Sequence, residues 1–204
     1  MRLQVEHPIT EAVTGLDLVR AQLVVASGES LPFRQDDVRQ HGHAIECRVY
    51  AEDARRLLPQ AGRLVRYREP AGDGLRIDAG VVEGQTITVH YDPLLAKLIA
   101  HGTTRAEAHA RLDTALGAYE ILGLRHNIRF LRRLLARPEV TSGDVHTRFI
   151  EEHLADLAVE PTNDERRAAL AMAAWLAGRE PRPLGDDERQ TRVDPWDTLG
   201  SVRW

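Results

Sequence analysis

Twelve residues, Gly42-His-Ala-Ile-Glu-Cys-Arg-Val-Tyr-Ala-Glu-Asp53, restrict this chain more than any other stretch. In an extended strand successive side chains point to opposite faces. Ala44, Glu46, Arg48 and Tyr50 then share one face, and His43, Ile45, Cys47 and Val49 the other. The half-apolar set belongs against a core, which aims Glu46 and Arg48 at a polar space. Residues 63–68, 75–78, 85–90 and 94–101 continue the β pattern, with a turn at Pro70-Ala-Gly-Asp-Gly74 and glycine between the segments. The expectation is an antiparallel sheet with one face covered.

The N-terminus, Met1-Arg-Leu-Gln-Val-Glu-His-Pro8, gives a second alternation. Read as a strand, it places Arg2, Gln4 and Glu6 on one face and Leu3, Val5 and His7 on the other. A cation, an amide and a carboxylate in a row suit a small oxyanion: Arg supplies a fork of donors, Gln a neutral donor, Glu a proton acceptor. An exposed edge strand of mixed charge is the plainer alternative.

Around these segments the periodicity turns helical. Residues 10–27 predict one helix, capped by Thr10 and ended by Gly28, and 29–41 a polar connector. Residues 103–122 predict a long helix with Thr104 as cap, Glu107 completing a capping box and Gly123 as stop. Helices over 126–136 (stopped by Pro138), 147–158 and 164–178 follow, then a charged linker over 179–193 and the terminal DPWDTLGSVRW. His41, His43 and Cys47 do not have a standard zinc spacing and read as structural, so no metal site is expected. Arg132 and Arg133 read as a solvated helix face.

Composition narrows the function. With 204 residues there is room for one sizeable domain or a domain with appendages. A net charge of -4 carries no basic excess to suggest nucleic acid. No apolar run approaches the roughly 18 residues of a membrane span, and the N-terminus is no signal peptide. The single cysteine, Cys47, allows no internal disulfide and suits a reducing cytoplasm.

RLQVEHPITEAVTGLDLV, then GHAIECRVYAED, then YDPLLAKLIAHG, in that order and through about residue 154, resemble the biotin carboxylase family, in particular the C-terminal part of the biotin carboxylase component of acetyl-, propionyl- and methylcrotonyl-type acyl-CoA carboxylase alpha chains. Several linked motifs of this length are specific. The resemblance implies an α+β fold: an antiparallel sheet with flanking helices, preceded by the last strand and helix of an ATP-grasp domain. It divides the chain into residues 1–36 (end of the ATP-grasp domain), 37–157 (biotin carboxylase C-terminal domain) and 158–204 (helix, charged linker and start of a following domain).

By the same resemblance, Glu6 is the general base that takes the bicarbonate proton, and Arg2 clamps bicarbonate. Gln4 with the Val5 amide completes an oxyanion cradle, and Arg48 holds the charge that develops on the biotin ureido oxygen. Asp92 falls near the biotin pocket, although an aspartate fixing a turn before Pro93 explains it equally well. Phe149 and Ile150 fall where the family packs adenine, with core packing the stronger alternative. ATP, magnesium held by ligands upstream of this chain, and biotin on a carrier domain are the implied cofactors. The implied partners are a biotin carboxyl carrier domain and a carboxyltransferase subunit, with a homo-oligomer possible. The ATP-binding core is missing, so the chain alone is expected to be inactive.

Asp73 stands where free-standing bacterial biotin carboxylases carry Phe at a dimer interface, so Arg76 is not expected to make their symmetric contact. Two rivals are a non-catalytic interaction module that binds a carboxylase partner, and a carbamoyl-phosphate-synthetase-like ligase. A pure scaffold has no need of the Arg2-x-Gln-x-Glu6 row with Arg48, and the ligase lacks a GHAIECR-like strand.

Overall fold

The computed structural model describes residues 2–177. Its organising element is a three-stranded antiparallel sheet in which β8 (Leu94–Gly102) lies between β1 (His43–Tyr50) and β6 (Leu75–Ala79). Cys47 pairs with Leu98, and Leu98 with Ile77, so the apolar faces of the strands fall in register. Cys47, Val49, Ala96, Leu98 and Ala100 are buried on that face. Helix α3 (Arg105–Ala118) covers it through Ala108, Leu112, Ala115 and Leu116, and α4 (Ile128–Leu135) adds Ile128, Leu131 and Leu135. The alternation expected of β1 is the one found. The opposite face is covered only in part, where α1 (His7–Thr14) crosses β1 and β8.

Short ladders complete the sheet region. β2 (Glu52–Asp53) pairs with β3 (Leu58–Pro59), and β4 (Gly62–Arg63) with β7 (Thr86–Ile87). β5 (Arg66–Arg68) pairs with β9 (Glu120–Leu122). β9 corrects the expected helix over 103–122: α3 ends at Ala118, and the next residues return as a strand. There Tyr67 and Tyr119 meet through their hydroxyls at 2.6 Å, with rings edge to face.

Three other expectations are corrected. The helix read over 10–27 is two helices, α1 and α2 (Leu18–Ala26). Gly15 closes α1 at φ 72°, the left-handed backbone that glycine adopts without steric penalty. Asp17 then caps α2 by accepting from the Arg20 amide at 2.8 Å, and the Glu11 carboxylate accepts from Leu18 N at 2.8 Å. Pro138 does not only stop α4; it opens a short helix, α5 (Pro138–Ser142), because a proline costs no bond at the first helical positions. Finally, residues 2–4 form no strand and Val5–Glu6 lie in a turn. A strand needs a neighbour to take its N–H and C=O groups, and none pairs with this segment among the described residues.

A 3-10 turn (Gln35–Asp37) interrupts the connector, and α6 is Phe149–Leu157. The chain divides into two units after Val159. In the second, α7 (Asn163–Ala177) starts at a capping box in which Thr162 and Glu165 exchange hydrogen bonds of 2.7 and 3.2 Å. The linker over 179–193 and the terminal DPWDTLGSVRW lie outside the described residues. Among the described residues no helix is long and apolar enough to cross a membrane.

Candidate anion site at the sheet edge

Two segments remote in sequence meet on the partly open face. Glu6 sits at the N-cap of α1 with φ -80°, ψ 2°, and its side chain makes no capping bond. Pro8, in the first turn, has no N–H to offer a capping carboxylate. The Glu6 carboxylate instead reaches β1, where its Oε2 accepts from Nη2 of Arg48 at 2.9 Å. Both partners remain open to solvent, Arg48 at 38% and Glu6 at 54% of side-chain area. Glu6 is thus half-exposed: α1 covers the site from one side only.

Beneath the pair the site is less wet. Nε of Arg48 points at Oε1 of Glu46, 3.5 Å away, and the Glu46 side chain is only 6% exposed. Burial raises the Glu46 carboxyl above its ordinary value, against the opposing pull of Lys97 and Arg48. For Arg48, burial works against the charge, but the Tyr50 hydroxyl and the Glu46 carboxylate outweigh it and hold the guanidinium firmly cationic. On the next strand Lys97 donates to Asp78 at 3.1 Å and to the Val5 carbonyl at 3.4 Å. Asp78 in turn receives Arg76, which also reaches Glu11 at 2.6 Å. The result is a band of alternating charge from Glu6 across three strands to α1.

The other expected site residues lie less close together. Arg2 and Gln4 are exposed, and among the described residues no ion pair holds Arg2. The Gln4 backbone carbonyl accepts from Nδ1 of His7 at 2.8 Å, which tightens the turn that presents Glu6. Asp92 is exposed and accepts from the Leu94 amide at 2.8 Å, the turn-fixing geometry of an aspartate before proline. Phe149 is buried and stacked on His153, with ring centroids 4.4 Å apart, whereas Ile150 is 38% exposed. One face of the Phe149 ring is thus taken by a histidine of its own helix, which is the core-packing alternative, while Ile150 stays partly open. The described residues hold no cluster of three His, Cys, Asp or Glu fit for a metal ion.

Arg132 and Arg133 also differ from a plain solvated face: Arg132 pairs with Asp113 at 2.9 Å, and Arg133 donates to the Asp156 carbonyl. Sequence reasoning missed three residues that shape the site: Glu46 as more than a polar-facing residue, Lys97, and Asn127. Lys97 had a readable signal, being the one charge inside the run Leu-Leu-Ala-Lys-Leu-Ile-Ala. Asn127, which binds the backbone of β1 on either side of the bulge, had none.

A hydrogen-bond acceptor and a fixed cation side by side, with a second cation behind them, can hold a small anion and move a proton from it. Residues 46–152 match the family model of the biotin carboxylase C-terminal domain, and residues 1–34 that of the carbamoyl-phosphate synthase L chain, ATP binding domain. The chain is 48% identical over 181 residues to a mouse mitochondrial methylcrotonoyl-CoA carboxylase subunit alpha, covering 88% of this chain and 25% of that protein. Against the pig mitochondrial propionyl-CoA carboxylase alpha chain the identity is 44% over 180 residues, covering 86% and 25%. A biotin carboxylase of Halalkalibacterium halodurans is 46% identical over 153 residues, covering 75% and 34%. Among solved structures, the biotin carboxylase domain dimer of Hydrogenobacter thermophilus 2-oxoglutarate carboxylase, in complex with MgADP, ADP and bicarbonate, superposes with a TM-score of 0.76 at 38% identity, over 79% of this chain and 36% of that one. The chain thus spans between a quarter and about a third of the length of these curated relatives.

Proposed function

Since the chain belongs to the biotin carboxylase C-terminal domain family, we propose that it works as the C-terminal portion of a biotin carboxylase within an acyl-CoA carboxylase alpha chain. The reaction is ATP-dependent carboxylation of protein-linked biotin by bicarbonate. Residues 1–36 belong to the end of an ATP-grasp domain, 37–157 to the C-terminal domain, and 158–204 lead towards a following one.

In this reading the reaction has two stages. A bicarbonate oxygen attacks the γ-phosphorus of ATP, ADP leaves, and the bicarbonate proton passes to Glu6. The resulting carboxyphosphate splits into carbon dioxide and phosphate; the phosphate takes the ureido N–H proton, and the freed nitrogen bonds to carbon dioxide. Magnesium and the triphosphate are held outside this chain, and no step here runs through its own residues to them. Glu6 accepts the proton, Arg2 and Gln4 close over bicarbonate from the N-terminal side of the turn, and the Val5 amide adds a donor. Arg48 stabilises the charge on the ureido oxygen, and Asp92 stands at the rim. The partners are a biotin carboxyl carrier domain and a carboxyltransferase subunit, and the compartment is the cytoplasm.

The observation that supports this most is the 2.9 Å contact between Glu6 and Arg48, residues 42 positions apart. A scaffold gains little from it, because exposed ion pairs contribute at most about 1 kcal/mol. The test is bicarbonate- and biotin-dependent ATP hydrolysis by the complete subunit. Arg48→Ala and Glu6→Ala are each expected to lose about 100- to 1,000-fold in rate. Full activity in Glu6→Ala refutes its role, and turnover by the 204-residue chain alone refutes the division of labour.

A further inference from the structure

Behind the Glu6–Arg48 pair, three strands carry charge in register. Arg48 lies directly across from Lys97, and Lys97 directly across from Asp78. Two cations facing each other on adjacent strands are unfavourable by themselves. They are tolerated here because a carboxylate flanks each: Glu46 beside Arg48 and Asp78 beside Lys97. The Lys97 side chain is 12% exposed, in a strand whose neighbouring residues are almost all buried. A hydrophobic residue would fill that space at no desolvation cost. What the lysine adds is a donor to the Val5 carbonyl, 92 positions away, in the turn that carries Glu6. It also places a positive charge beside Glu46, whose Oε2 is buried without a hydrogen-bond partner.

We propose that Lys97 is a positioning residue of the anion site: it pins the Val5–Glu6 turn against β8 and, through the Glu46 carboxylate, orients the Arg48 guanidinium towards Glu6. Lys97 touches no reacting group. It acts on one partner through the Val5 backbone and on the other through Glu46, so a single ammonium fixes both halves of the pair. The catalytic consequence rests on the biotin carboxylase reading; the geometric claim does not.

The test has two parts, so that failure of the claim and failure of that reading can be told apart. In the 204-residue chain, the Arg48 Nε–H is followed by NMR, assigned by its loss in Arg48→Lys. Lys97→Met is expected to accelerate its exchange with water at least about tenfold, because desolvation and a fixed acceptor both slow exchange. Lys97→Arg is expected to restore the wild-type rate. Because Lys97→Met leaves two carboxylates short of a cation and risks unfolding the sheet, the double variant Asp78→Asn/Lys97→Met is measured beside it; it leaves the net charge unchanged and Glu46, the acceptor of the Arg48 Nε–H, in place, and is expected to show the same acceleration. In the complete subunit, Lys97→Met is expected to raise the KM for bicarbonate about tenfold, a loss of roughly 1.4 kcal/mol of binding, with Lys97→Arg recovering most of it. An unchanged Arg48 signal in the folded double variant overturns the proposal. An accelerated signal with no carboxylation by the wild-type subunit supports it and refutes the catalytic reading instead.

Discussion

Asn127→Ala is the substitution whose effect follows most directly from the geometry. Asn127 is the one fully buried polar residue among the described residues, at 4% exposure. Its Nδ2 donates to the Arg48 carbonyl at 3.0 Å, and its Oδ1 accepts from the Tyr50 amide at 2.9 Å. Its own amide donates to the Tyr50 carbonyl at 3.2 Å. These bonds fall on the edge of β1 that pairs with no strand among the described residues, beside the register shift between Val49 and Tyr50, so the side chain takes the place of a neighbouring strand there. Alanine leaves one N–H and one C=O without a partner, each costing about 1–3 kcal/mol when buried. The sum, about 2–6 kcal/mol, is a large share of the roughly 5–15 kcal/mol that a domain has in total. Urea denaturation at neutral pH should show a lower midpoint with an unchanged m-value, and the melting temperature should fall by about 5–15 °C. Asn127→Asp keeps the acceptor for Tyr50 but sets a carboxylate oxygen against the Arg48 carbonyl. It should regain stability as falling pH protonates it. A loss below about 1 kcal/mol for alanine, with folding still two-state, refutes the assignment of these bonds as buried and irreplaceable.

Burial depresses the His126 pKa below its ordinary 6.5, so the unfolded chain binds that proton more readily. Its contribution to stability is present above pH 6.5 and is lost as pH falls through the depressed value; His126→Gln should flatten the stability–pH profile there. Burial pushes the Cys47 thiol up to about 12, so a thiol reagent at pH 8 should modify it only as fast as the chain opens, and at once in denaturant. Gly102→Ala would put a Cβ 2.7 Å from the Ala108 amide nitrogen, where β8 abuts α3. Such overpacking should cost about 1–3 kcal/mol in a melt, and a neutral result would mean that α3 can shift.

The parts of the fold legible in the sequence were those decided locally. The inward Cys47 and Val49 against the outward Glu46 and Arg48 settle β1, and Thr104, accepting from the Glu107 amide at 3.2 Å, opens α3 as its capping pattern says. Elements that depend on distant partners were not legible. β9 is a strand only because β5 lies beside it, and Leu122 looks like the tail of a helix until Arg66 is placed opposite. The N-terminal row misled for the converse reason: its alternation is real, but a turn and Pro8 present Glu6 without any strand. Arg48 could be read from its face of β1. Lys97 and Asn127 could not be assigned roles, because one acts on a carbonyl 92 positions away and the other on backbone groups 77 and 79 positions away.

The central place of β8 also bears on how the molecule is made. Its two neighbours both precede it in the chain, and β8 is finished about fifty residues after β1. At about 5–20 residues per second, a ribosome leaves β1 without its pairing edge for roughly 3–10 s. During that interval the nascent chain displays an apolar ribbon with open hydrogen-bonding groups, the kind of surface that chaperones hold and that neighbouring polypeptides invade. Expression yield should therefore respond to codon speed between residues 50 and 102 more than to codon speed elsewhere.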